Sequence, residues 1–323
     1  MRAAVPAVVG DDIHWRVAHL PEPELAPDQI LLRVHASSIN RGESVLLRTK
    51  LPAGAGGIDA AGEVAAVGSK VSRFKTGDRV AGRCAGGFAE FAAMNEFEGI
   101  AIPAQLGFEQ AACLPVSFVV AHDALVVNGR FASGETVLIT GVSSAVGVAS
   151  LALARYLGAK TVIGTSRSVH KLEKLKSQGL DVGFQNIAGA RALCEATKNV
   201  TGGRGVDVAI DTVGAALFRE IVESLAVDGR YATIGQMTGS SKVELDMDAF
   251  AMRRLHLFGV SNRLRAPAQK AASAQRFAME IMPAIAKGEV RPVIDSVFPL
   301  EDIEAAHRHV YADRQVGKVI IRI

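Results

Sequence analysis

At 323 residues the chain is long enough for two domains and a large core, and 49% hydrophobic with 21% charged residues excludes a disordered chain. A net charge of +3 without a long basic run, and aromatics at only 5%, give neither the basic patch nor the stacking platform of a nucleic-acid binder. Cys84, Cys113 and Cys194 lie far apart and read as reduced thiols; with no signal-like apolar segment at the start and no apolar run of membrane-spanning length, the expectation is a cytoplasmic protein.

Residues 1–118 are expected to be β-rich. Stretches 29–36 and 62–67 read as strands, and turn signals recur at 21–27, 54–57, 76–78 and 86–87. Many short strands divided by Gly and Pro predict a small barrel-like domain. Helical segments are expected over 108–114 and, as a connector, over 116–128.

The next stretch carries the strongest signal. TVLIT (136–140) is a short apolar β-branched run, as in a buried parallel strand. TGVSSAVG (140–147) is a glycine-bounded turn, 148–157 has helical composition with Gly158 as a stop, and TVIG (161–164) is a second strand. That is one βαβ unit. A helix start leaves backbone N–H groups unpaired and carries partial positive charge, so a pyrophosphate fits there if no bulky side chain blocks it. The turn is not GxGxxG. Ser144 fills the middle small position, and the Ser143 and Ser144 hydroxyls add donors. The bland alternative is a tight strand-to-helix turn that holds nothing.

The end of the second strand indicates which dinucleotide. An NAD site places an acidic residue there, roughly twenty residues on, for the ribose 2′-hydroxyl. From Thr136 to Leu172 there is no Asp or Glu; Ser166, Arg167 and Lys171 stand there instead. Hydroxyls and cations suit a 2′-phosphate, which predicts NADPH over NADH. The alternative makes Arg167 and Lys171 ordinary solvated charges.

Apolar runs at 206–210, 229–234 and 255–260 continue the alternation, so 119–265 reads as a doubly wound parallel sheet. The remainder, 266–323, offers an amphipathic helix over 268–287, a shorter one around 300–311 and a closing strand, 318–323, that returns to the first domain. Tyr156 and Tyr231 are expected in the core, and His307 and His309 on a solvated helix face.

The strings GIDAAGEV (57–64), VG (67–68), KTGDRV (75–80), GFAEF (87–91), DVAIDTVG (207–214) and GKV (317–319), together with the turn, span nearly the whole chain in a specific order. On them the chain resembles the medium-chain dehydrogenase/reductase superfamily, in its zinc-independent quinone oxidoreductase branch. The resemblance implies a GroES-like β-barrel domain (1–118 and 266–323) and an NADP-binding Rossmann domain (119–265), with substrate in the cleft between them. It implies that Asn40 lies near the nicotinamide and that Glu43 stands where the family often has Asp. It carries the pyrophosphate site onto Thr140, Gly141, Ser143, Ser144, Ala145 and Val146, and the adenosine phosphate site onto Ser166, Arg167 and Lys171. Asn186 occupies a position that is often Tyr. Thr212, Val213, Ile234, Gly235 and Gln236 would line the nicotinamide side, and Ser261 and Asn262 the last cofactor-proximal loop. It also implies a homodimer paired through 255–260.

Zinc relatives need a Gly-His-Glu signature and a lobe of clustered cysteines. Here Ile58 and Asp59 occupy the His-Glu position, and no CxxC occurs anywhere. Without a Lewis acid, alcohol oxidation is disfavoured, whereas hydride addition to an electron-poor C=C bond or a quinone needs less help. Asn40 or a backbone N–H would then bond the developing enolate. His122 is the one histidine expected near the cleft, and Leu46, Leu47, Phe88 and Val120 would shape it. No proton donor is evident. Two rivals stand beside an NADPH-dependent quinone or enone reductase. One is an enoyl-thioester reductase that uses Arg253, Arg254, Arg263 and Arg265 for a nucleotide carrier arm. The other is an NADPH-binding sensor with little turnover.

Overall fold

The computed structural model of the chain describes residues 1–10, 12–43, 47, 54–185, 192–235, 237 and 241–323, without the side chains of residues 8 and 9. Leu46, Asn186 and Gln236 therefore lie outside the described residues. The chain divides into two compact units: Met1–Val119 with Arg265–Ile323, and Val120–Leu264.

In the first unit, β1 (Arg2–Val9) and β2 (Asp12–His19) form an antiparallel hairpin that the sequence reading did not foresee. The expected strands are β3 (Gln29–Ser38) and β4 (Asp59–Val67), followed by β5 (Arg79–Arg83), β6 (Phe91–Asn95) and β7 (Gly99–Ala101). The second unit contributes β8 (Thr136–Thr140), β9 (Thr161–Ser166), β10 (Val182–Gln185), β11 (Val206–Asp211), β12 (Leu225–Thr233) and β13 (His256–Gly259). The chain then returns to the first unit with β14 (Ile294–Pro299) and β15 (Lys318–Arg322).

The first-unit sheet runs β14-β15-β3-β4-β5-β7, with β6 also paired to β3. β3 explains its own centrality. Ile30, Leu32, Val34 and Ala36 face one core at period two, and from Ala36 onward every residue is buried, Ser37 and Ser38 included. Its carboxyl end is thus covered on both faces, and the polar side chains there must find internal partners. A second core gathers Trp15, Ile39, Phe88, Ile303, Val310 and Ile321.

That second core corrects two expectations. His307 is buried, its ring 5.3 Å from Trp15 and 4.5 Å from Tyr311, because helix Ile303–Tyr311 docks against β2. Burial pushes its pKa down to about 4, so the ring is neutral. His309 faces outward and bonds Asp295 at 2.9 Å. Phe88 is fully buried and belongs to this core.

The second unit is a six-stranded parallel sheet ordered β10-β9-β8-β11-β12-β13. β8 has β9 on one side and β11 on the other, so the strand order reverses between β8 and β11. Ligands of doubly wound sheets sit outside the carboxyl ends at that reversal. Thr140 ends β8 and its register partner Asp211 ends β11, which fixes the place to look. Tyr231 lies in the core, as its strand position predicts, whereas Tyr156, expected there too, is 39% exposed near the end of helix Ala145–Tyr156. The helical stretch Phe108–Asn128 is long and apolar enough to cross a membrane by composition alone; 78% of its most apolar window is buried, as in a core helix.

Candidate functional site

In the second unit the turn after β8 is shaped by two glycines. Gly141 has φ +61°, and a Cβ there would meet Thr212 Oγ1 at 2.5 Å. A Cβ on Gly147 would lie 2.5 Å from the Gly141 carbonyl and 2.7 Å from Val142 Cα, so the helix seats directly on the strand end. The helix begins at Ala145, slightly earlier than expected. Ser144 is its N-cap: Oγ accepts from Gly147 N at 3.1 Å. The sequence reading missed the cap, although serine just before a helical run is a signal for it; accepting from Gly147 N leaves the hydroxyl hydrogen able to donate, as that reading expects. Val146 lies in the first turn and its carbonyl accepts from Ser150 Oγ at 2.8 Å.

The structure brings the second strand end to this turn. Ser143 Oγ and Ser166 Oγ are 3.3 Å apart, and Gly141 N donates to Thr165 Oγ1 at 3.3 Å. Arg167 follows with an exposed side chain, and Lys171 is half-buried one turn into the next helix. Gln185 Nε2 donates to the Arg167 carbonyl at 3.2 Å, tying β10 to the same corner. A cavity of about 140 Å³ lies there, lined by Thr165, Phe184, Gln185 and Leu193 among others. A larger hollow, about 310 Å³, lies by the amino end of β13 beside Arg130 and His256, at the opposite end of the strands from the turn.

Thr212 and Val213 are locked beside the turn by Asp211. This fully buried carboxylate accepts from Val213 N at 2.9 Å, Gly214 N at 3.1 Å, Tyr231 Oη at 2.7 Å and Thr140 Oγ1. Ile234 N and Met237 N donate to the Asp211 and Val213 carbonyls at 2.9 and 2.8 Å, and a Cβ on Gly235 would strike the Thr212 carbonyl at 2.5 Å. The segments 212–214 and 234–235 are therefore joined. Asn262 is half-buried, and Ser261 Oγ accepts from Arg263 N at 3.2 Å. His122 is buried and hydrogen-bonded or otherwise engaged within the protein.

The first unit holds a second polar site, buried and charged. Antiparallel pairing of β15 with β3 matches Ile320 to Ser38, which places Lys318 across from Asn40. Pairing of β3 with β4 matches Ala36 to Ala61, which places Asp59 across from Ser38. Asp59 accepts from Ser38 N at 2.8 Å, Ser38 Oγ at 2.6 Å and Asn40 Nδ2 at 2.7 Å. Asn40 Nδ2 also donates to the Ser38 carbonyl at 3.1 Å, and Asn40 Oδ1 accepts from Lys318 Nζ at 2.5 Å. Both Asn40 amide hydrogens are thus taken inside the protein.

Glu43 sits a turn later, its N–H donating to the Asn40 carbonyl at 3.0 Å, and its Oε1 accepting from Gly57 N at 2.6 Å. Gly57 has φ +95°, and a Cβ there would meet Phe88 N at 2.6 Å, so only glycine presents that N–H. Burial raises the Glu43 carboxyl to about 8, with the Gly57 bond and Lys318 opposing and Asp59 adding; at neutral pH it carries its proton. Burial pushes the Lys318 ammonium down. It also pushes Cys113 up to about 12 and Cys84 well above its usual range, so neither is a thiolate. Asp59 and Lys318 were quoted in family strings but given no chemistry from sequence. Leu47 and Val120 are buried.

Among the described residues no three His, Cys, Asp or Glu side chains gather as a metal needs; the donor set beside Asp59 is amide, hydroxyl and ammonium, which does not fit zinc. A nicotinamide dinucleotide fits the second unit better, through open turn amides and cations without a carboxylate at the β9 end.

Residues 26–124 match the alcohol dehydrogenase GroES-like domain family and residues 183–321 the zinc-binding dehydrogenase family. Rat quinone oxidoreductase is 32% identical across 94% of this chain and 91% of its own length. A highly reducing polyketide synthase of Emericella nidulans is 29% identical across 99% of the chain, which spans only 12% of that synthase. Among solved structures, a mycobacterial protein complexed with NADPH superimposes with TM-score 0.89 at 26% identity, and an NAD-dependent alcohol dehydrogenase with 0.86 at 27%, each covering 100% of both chains.

Proposed function

Because the chain belongs to the quinone oxidoreductase branch of the medium-chain dehydrogenase/reductase superfamily, we propose that it is a zinc-independent, NADPH-dependent reductase of quinones or α,β-unsaturated carbonyls. The observation that carries the reading is the turn at the β8–β11 reversal, with Arg167 and Lys171 at the end of β9 and no carboxylate there. NADPH, when bound, supplies the hydride. The amides at the start of helix Ala145–Tyr156 hold the pyrophosphate, and Ser166, Arg167 and Lys171 hold the 2′-phosphate. Thr212, Val213, Ile234, Gly235 and Asn262 orient the nicotinamide end.

Addition of hydride to the β-carbon of an enone puts charge on the carbonyl oxygen, which needs a hydrogen bond and then a proton on carbon. Asn40 already spends both amide hydrogens, so it orders the site and is not the donor in this state. Glu43 holds a proton at neutral pH and is the better acid. The protein acts as a homodimer joined through edge strand β13, which pairs only with β12 among the described residues.

A second reading, reduction of an enoyl thioester, is favoured by the match to a polyketide synthase over nearly the whole chain. Its expected arm-binding group is largely committed: Arg253 to the Leu225 carbonyl, Arg254 to Asp228 at 2.8 Å, Arg265 to Ser273 at 2.7 Å. One panel tests both. NADPH oxidation is followed with quinones, short enones and crotonyl thioesters, then repeated with NADH and with a chelator. Quinone or enone turnover that survives the chelator and favours NADPH is expected. Loss with chelator overturns zinc independence, and faster thioester turnover moves the assignment to the second reading.

A further inference from the structure

We infer that Lys318 is a positioning residue of the reductase site: reaching from the last strand, its ammonium locks the Asn40 amide against Asp59 and places a buried positive charge beside Asp59 and Glu43. The inference rests on the reading that Asn40 and Glu43 serve the reduction.

Burial makes Lys318 unusual. It is 3% exposed, and its neighbours along β15, Val319, Ile320 and Ile321, are buried and apolar. An ammonium in such a place is stripped of water, a cost that a methionine of similar volume would not carry. Core packing alone does not call for it. The geometry shows what the charge does. Nζ bonds Asn40 Oδ1 at 2.5 Å, and that is its one hydrogen bond among the described residues. The contact fixes which end of the amide points to Asp59; an amide turned over would set Nδ2 against the ammonium and Oδ1 against the carboxylate. Asp59 and Lys318 therefore communicate through Asn40 as acceptor, amide and donor in one line. The cation that bonds Asn40 comes from a strand 278 residues away in sequence.

The same charge acts on Glu43. Lys318 lowers its proton affinity while burial and Asp59 raise it. Lys318 in turn is acted on by Asp59, Cys113 and Glu43, and Asp59 and Glu43 both push Cys84 further up. Removing the ammonium must shift Glu43 to a higher pH.

Four proteins test this: wild type, Lys318→Gln, Lys318→Met, and Lys318→Met with Asp59→Asn, the last removing both charges together so that no lone ion is buried. Each is assayed for melting temperature, NADPH affinity by fluorescence, kcat and KM for the acceptor found in the panel, and the titration of Glu43 by carbon-13 NMR. For Lys318→Met, kcat should fall roughly ten- to hundredfold, the loss of a hydrogen bond to a charged group, with NADPH affinity nearly unchanged. The alkaline limb of kcat/KM and the Glu43 titration should move to higher pH together. Lys318→Gln should recover part of kcat and keep the shifted limb. If Lys318→Met fails to fold, the double variant should show the same fall in kcat, while its Glu43 titration moves to lower pH, because Asp59 raises that carboxyl more than Lys318 lowers it; wild-type kcat with an unmoved titration there overturns the inference. A folded variant with wild-type kcat and an unmoved Glu43 titration overturns the inference. A shifted titration in a protein whose wild type reduces no acceptor supports the charge coupling and overturns the reductase reading instead.

Discussion

The turn of the second unit and the cluster of the first are made of opposite materials. The turn uses backbone N–H groups, small side chains and a helix end, all within residues 140–147. The cluster uses full charges from β4 and β15 beside the protonated carboxyl of Glu43, 0–4% exposed, held by an amide and two serines. A dipolar site tolerates solvent and is limited by steric approach. A buried ionic site is limited by desolvation and fails when one partner is removed. The two should therefore break in different ways.

The largest effect is expected at Gly147. In Gly147→Val the added carbons meet the Gly141 carbonyl and Val142 at under 3 Å, contacts that only backbone movement relieves. NADPH affinity should fall by about a hundredfold or more, read by fluorescence titration. Affinity like that of wild type would separate the turn from cofactor binding. Next, Asp59→Ala strands a buried ammonium and leaves Ser38 N and Asn40 Nδ2 without their acceptor. A loss of about 3–5 kcal/mol is expected in denaturant melts. A loss below 1 kcal/mol would mean that the cluster behaves like a surface pair.

Arg167→Glu sharpens the cofactor side. KM for NADPH should rise roughly tenfold or more while KM for NADH changes little, since only the former carries the 2′-phosphate. Equal changes for both would remove Arg167 from that phosphate. Glu43 gives the cluster a pH signature. Its folded pKa, about 8, lies above the ordinary 4.5, so the folded state binds more protons between those values. Its contribution is full below about 4.5 and is lost as pH rises towards about 8. Lys318, pushed down, acts in the opposite sense, its folded form losing stability as pH falls through its lowered value. Comparison with Glu43→Gln isolates the first effect: wild-type melting temperature should drop relative to the variant across that window. Parallel curves would place the carboxyl in water. The smallest effect is Ser144→Ala, which removes the cap on Gly147 N and should cost about 1 kcal/mol in a melt.

Much of the second unit was legible because its signals are local. TVLIT, the glycine turn and the absence of carboxylates to Leu172 are contiguous, and period and composition report them directly. What was missed there was side-chain fate: Ser144 also caps the helix, and Tyr156, its last residue, is 39% exposed. In the first unit the strands at 29–36 and 62–67 showed their period, but β1 and β2 did not, and His307 looked solvated because the surface that buries it comes from Trp15, far away in sequence.

The amino-acid sequence by itself determined a βαβ unit with an anion-receptive turn, a cationic strand end and a family membership, since each depends on residues a few positions apart. Only the tertiary structure decided that Asp59, Asn40 and Lys318 form one buried line and that Glu43 keeps its proton. Strand register sets the first, and the dielectric around a carboxyl the second; both arise when distant segments exclude water from the same place.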